Sequence, residues 1–66
     1  MGERLIKYYK YIKEVAGYEG MIDLATTTKI PSTKAALAED SDENIELFKS
    51  AITKITGESV PEEINS

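Results

Sequence analysis

Neither histidine nor cysteine occurs in this chain, so proton transfer near neutral pH and thiolate attack lose their usual carriers. The side chains left for chemistry are carboxylates, lysines, tyrosines and hydroxyls, and none stands in a pattern of nucleophile and base. Zinc, haem and iron–sulfur centres lack their customary ligands as well. Asp40, Asp42, Asn44 and Glu46 alternate in the manner of an acidic calcium loop. Such a loop wants Gly at its turn position and a carboxylate at its last, where this chain has Ile45 and Ala51. The same residues fit better as an acidic N-cap and first helical turn, complementing the positive helix end. Gly17 and Gly20 form no phosphate-binding loop, and the myristoylation pattern that Gly2 invites fails at Ile6. These residues lead us to expect no catalytic residue, no cofactor, no metal and no enzymatic activity.

Tyr8, Tyr9 and Tyr11 interleave with Lys7, Lys10 and Lys13, a combination that in principle stacks and neutralises single-stranded nucleic acid. A helical wheel separates the two sets. Tyr8 and Tyr9 point with Leu5 and Ile12, and the lysines lie opposite, so the rings are expected to pack in a core edge or an interface.

The elements that must position these residues follow from apolar spacing. Leu5, Tyr8, Tyr9, Ile12, Val15 and Ala16 share one face of an amphipathic helix over about residues 3–16, widened by Ile6 and Tyr11. Gly17 suits a left-handed helix stop, and Gly20 lets the chain turn again. Met21, Ile22, Leu24, Ala25 and Thr28 then share a face of a short helix over about 20–28. Pro31 disfavours helical geometry at Ile30 and lacks a backbone donor, which ends that helix. Ser32 can cap a further short helix over about 33–38. The last helix, about 42–56, has the clearest signals. Asp40 and Glu43 stand at capping-box spacing with Ser41 as an alternative cap, while Ile45, Phe48, Ala51, Ile52 and Ile55 form the stripe and Gly57 the stop.

The spacing predicts an all-α fold: a small helical bundle with the first helix packed on the last and two short helices between them. Residues 1–57 form the expected domain, and 58–66 an acidic, loose tail. A chain of 66 residues has a thin margin, since one core of this size supplies about 3–5 kcal/mol. Association with a partner is one route to more. No apolar run approaches the length of a bilayer span, and no signal-peptide core opens the chain, so a cytoplasmic location away from membranes is expected. Charge is divided unevenly. Residues 1–34 carry six Lys/Arg against four Asp/Glu, and residues 35–66 carry two against eight. The halves are therefore +2 and −6, an asymmetry that can steer one half toward the other within or between chains.

Leu24, Ala25, Thr28, Ile30, Pro31 and Ser32 read LAxxTxIPS, which resembles the first helix and turn of bacterial helix-turn-helix regulators. The resemblance covers about 15 of the 66 residues. It departs at Lys29, where that family usually has Gly, and at Ala35 and Glu39, where larger apolar anchors are usual. Membership would imply that the second helix enters the major groove, with Ser32, Thr33 and Lys34 reading base edges. Lys29 and Arg4 would meet phosphates. The acidic second half supplies little phosphate neutralisation.

The leading expectation is thus a small non-enzymatic interaction or regulatory module. It is expected to form a homodimer, or to bind another protein, through Leu5, Ile6, Tyr8, Tyr9, Tyr11 and Ile12, because rings and branched chains offer large contact area. The alternative is a helix-turn-helix DNA-binding protein using residues 21–38, with Lys29, Ser32, Thr33 and Lys34 in contact with DNA.

Overall fold

The computed structural model describes residues 3–61 and has three helices in the order α1 (Glu3–Thr28), α2 (Ser32–Ala35) and α3 (Asp42–Thr56). The all-α class is as expected, with no strand among the described residues. α1 consists of two helical arms, residues 3–16 and 18–28, that meet at Gly17 (φ 67°, ψ −160°). Those dihedrals lie in a region essentially reserved for glycine. Gly17 alone makes the bend, which corrects the expected loop through Gly20: the second arm is already helical at Tyr18 and Glu19.

Gly20 has a packing role instead. A Cβ built on it would lie 2.4 Å from the Ala16 Cβ and 3.1 Å from the Ile12 Cγ1, so the second arm folds back closely over the end of the first. The bend also reorients the residues around it. Val15 and Ala16, expected on the buried stripe, are exposed, because the first arm leaves the core one turn before Gly17.

The first arm packs on α3, as the two long apolar stripes require. Leu5, Tyr8 and Ile12 are fully buried against Phe48, Ile52 and Ala51, with Leu24 of the second arm and Ala35 of α2 completing the core. Phe48 is its centre. Its ring stacks with Tyr8 at a centroid distance of 6.0 Å and meets Tyr9 edge-on at 5.6 Å, arrangements that add to simple area burial.

Both ends of α3 follow the sequence signals. The Ser41 hydroxyl accepts from the Asn44 N–H at 3.2 Å, and Gly57 closes the helix in the left-handed conformation (φ 78°), its N–H donating to the Thr53 carbonyl. Asp40 is therefore not this helix's cap. Its Oδ2 accepts from the Arg4 N–H at 3.3 Å, so it serves the first turn of α1 across the molecule, where free N–H groups need acceptors. α2 is shorter than expected. Regular helix ends at Ala35, and Leu37 and Ala38 return their N–H groups to the Lys34 carbonyl, each at 3.0 Å. The packed unit also runs past Gly57, since Val60 is buried against the core. The remainder of the expected tail, 62–66, lies outside the described residues.

Candidate protein-docking groove

The second arm of α1 carries two apolar faces rather than one. Gly20, Leu24 and Thr28 repeat every fourth residue and point into the core. Tyr18, Met21, Ile22 and Ala25 recur at the three- and four-residue intervals of a neighbouring stripe, and this stripe borders an open groove of about 260 Å³ closed by Tyr9, Pro31 and Ser32. Tyr18 is 70% and Ile22 63% exposed. A dry cavity of about 150 Å³ is enough to hold benzene, so this groove has room for one or two aliphatic side chains.

The wall at Pro31 is held in place by a small hydrogen-bond network. The Tyr9 hydroxyl donates to the Ile30 carbonyl. The Thr28 hydroxyl donates to the Leu24 carbonyl at 2.7 Å and accepts from the Ile30 N–H at 3.3 Å. Lys29 adopts a left-handed conformation (φ 62°) while its N–H still bonds the Ala25 carbonyl at 2.8 Å. A non-glycine residue there costs about 1–2 kcal/mol, which the surrounding bonds must offset. Burial pushes the Tyr9 hydroxyl's pKa above its ordinary value, and the Thr28 hydrogen bond draws it partly back. No carboxylate, ammonium or guanidinium side chain is among the groove's lining residues. The Lys13 ammonium lies 5.2 Å from the centre of the Tyr18 ring at the rim, a cation–π distance.

Four of the six expected interface residues are occupied within the subunit. Leu5, Tyr8, Tyr9 and Ile12 are buried in the core, and Ile6 and Tyr11 are half-buried at its edge. The stripe of the first arm is covered by Phe48 and its neighbours on α3, so a partner cannot use it without opening the core. The residues of the alternative reading are differently placed. Lys29, Ser32, Thr33 and Lys34 are all exposed and adjacent, across the turn and first residues of α2. Lys29, which departs from the helix-turn-helix pattern in identity, takes the positive φ that pattern fills with glycine. Ala35 is fully buried, its small side chain letting α2 sit close on α1. Glu39 is exposed, and the partly buried Ala38 packs against the core in its place.

Tyr18, Ile22 and Leu37 escaped the sequence reading. Tyr18 falls in the expected loop, Ile22 on the expected packing face, and Leu37 in an expected helix that ends before it. The Tyr18, Ile22, Ala25 spacing was the available signal. Among the described residues, no helix is long and apolar enough to cross a membrane, and no three acidic side chains gather where they could hold a metal ion. No protein-family model, curated protein or solved structure matches the chain.

Proposed function

We propose that this chain is a small non-enzymatic interaction module that self-associates through the groove beside residues 18–28. The observation that carries this reading is the exposure of Tyr18 and Ile22 beside a groove lined by Met21, Ala25 and Pro31. A helix that has already buried one apolar face keeps a second in water, and contiguous exposed apolar surface of this kind marks interaction sites. The arrangement suits helix-groove or side-chain-in-groove recognition, in which area and shape matter more than charge. It offers no paired acid and base and no activated nucleophile.

Sedimentation equilibrium from micromolar to millimolar concentration tests this. The wild-type chain is expected to associate, and Ile22→Asp, which places a charge at the exposed stripe, is expected to dissociate it while leaving the circular dichroism spectrum unchanged. A wild-type chain that stays monomeric at millimolar concentration refutes the reading.

One observation favours a second reading, DNA binding by residues 21–38. The turn at Lys29 takes the left-handed conformation of a helix-turn-helix, and Ser32, Thr33 and Lys34 follow it exposed. Against it, α2 is only four residues long, about one turn to present to a major groove. Binding to duplex DNA that falls steeply with salt and weakens in Lys29→Gln and Lys34→Gln would support it. Absence of binding at low salt ends it.

A further inference from the structure

We infer that the groove of one copy is filled by Leu37 of a second copy, and reciprocally, in a two-fold dimer. This inference rests on the groove reading above and names its occupant. Leu37 is 85% exposed, the most exposed of the large apolar side chains among the described residues, yet it does not sit on a loose loop. Ala35 two residues before it is fully buried, Ala38 after it packs against the core, and the Leu37 N–H is bonded to the Lys34 carbonyl. An aliphatic side chain is thus held outward from a backbone anchored on both sides, which lowers the ordering cost of binding.

Knob and groove belong to one short segment. Pro31 and Ser32 form one wall of the groove, and Leu37 follows five residues after Ser32. A single two-fold axis can therefore bring each Leu37 to the other copy's groove, the self-complementary arrangement that closed dimers need. Charge agrees with it. Around the groove stand Lys13 at the Tyr18 ring and Lys29 and Lys34 near the Pro31 wall, whereas Leu37 is followed by the exposed Glu39, Asp42 and Glu43. Glu19 and Asp23 also lie on the second arm, Glu19 one turn before Ile22 and Asp23 about 100° from it at helical spacing, so the lysines flank the groove at its Lys13 and Pro31 ends while its outer edge is acidic. Each copy thus brings an acidic segment toward the other's lysines, which speeds encounter and favours one register. The same asymmetry runs through the whole chain, +2 against −6.

Sedimentation equilibrium on Leu37→Asp and Leu37→Met, beside wild type and Ile22→Asp, tests the inference. Leu37 has almost no contact within its own subunit, so at concentrations where all chains are monomeric both variants should keep the wild-type melting curve. Leu37→Asp is expected to weaken association by about tenfold or more, the size of a central anchor's loss, and Leu37→Met to stay within about threefold of wild type. Raising salt should weaken the wild-type dimer modestly. If wild type associates and Ile22→Asp disrupts it while Leu37→Asp does not, the groove reading stands and the Leu37 inference falls. A monomeric wild type overturns both, leaving the groove for a foreign segment.

Discussion

Gly20→Ala is expected to destabilise the domain, although alanine is the better helix former. The structure sets the size of the effect. The new Cβ would stand 2.4 Å from the Ala16 Cβ and 3.1 Å from the Ile12 Cγ1, whereas carbon atoms pack at about 3.5–4.0 Å. Ala16 has no rotamer with which to yield, so more than 1 Å of overlap (roughly, against that packing distance) must be relieved by moving one arm of α1 against the other. Overpacking of this kind costs about 1–3 kcal/mol, partly offset by about 1 kcal/mol of helix propensity. A net loss of up to about 2 kcal/mol would take a large share of the margin of about 3–5 kcal/mol open to so small a core. Urea denaturation followed by circular dichroism measures it. Ala16→Gly in the Gly20→Ala background should recover part of the loss, giving a coupling energy that neither single substitution predicts. Gly20→Ala stabilised by the full helix-propensity gain of about 1 kcal/mol would refute the close approach of the two arms, and with it the orientation of Tyr18 and Ile22 that builds the groove.

Three further outcomes follow from the packing. Phe48→Ala removes the ring between Tyr8 and Tyr9 and should cost about 3–5 kcal/mol, enough to abolish the cooperative thermal transition; a retained sharp melt at 25 °C would contradict the placement of Phe48 at the centre. Lys29→Gly relieves the left-handed strain of about 1–2 kcal/mol at an entropic cost of about 0.5–1 kcal/mol, so the urea midpoint should rise slightly, and a fall would contradict the conformation found. Alkali should destabilise the domain. Burial raises the Tyr8 and Tyr9 hydroxyls above their ordinary value of 10.0, with Arg4 opposing the shift at Tyr8 and Glu46 and Asp40 adding to it. The folded state therefore holds these protons more tightly, and the stability this contributes is complete below about pH 10 and lost as pH rises through the folded values. Tyrosinate absorbance and helical content should change together there; ionisation of all tyrosines with full helicity retained would contradict it.

α3 was legible because independent local signals coincide: Ser41 to cap, Asp42 and Glu43 at the positive end, apolar residues at helical spacing and Gly57 to stop. Gly17 was legible as a break but not as a bend. Its φ and ψ redirect the second arm across the end of the first, so that Val15, where the first arm leaves the core, stays in water and residues 18–28 carry two apolar faces. Which face lies inward depends on Gly20, whose missing side chain leaves no apolar mark in a sequence. The stripe of the first arm is buried as its spacing predicts as far as Ile12, not at Val15 and Ala16, and its cover is intramolecular, because Phe48 reaches both Tyr8 and Tyr9. The conformation of Lys29 was hidden for another reason: lysine rarely takes positive φ, and only the bonds of Tyr9, Thr28 and Ile30 hold it there. Leu37 looked like one more helix residue until α2 ended at Ala35.

The account's central claim is that two copies meet through Leu37 and the Tyr18–Ile22 groove, and the absence of native cysteine permits a direct measurement. A Leu37→Cys chain mixed with an Ile22→Cys chain under mild oxidation should yield chiefly the mixed disulfide dimer, because the inferred dimer seats position 37 of one copy beside position 22 of the other. Like-with-like dimers forming as readily as the mixed one, or no cross-linked dimer at concentrations where the wild-type chain associates, would contradict it.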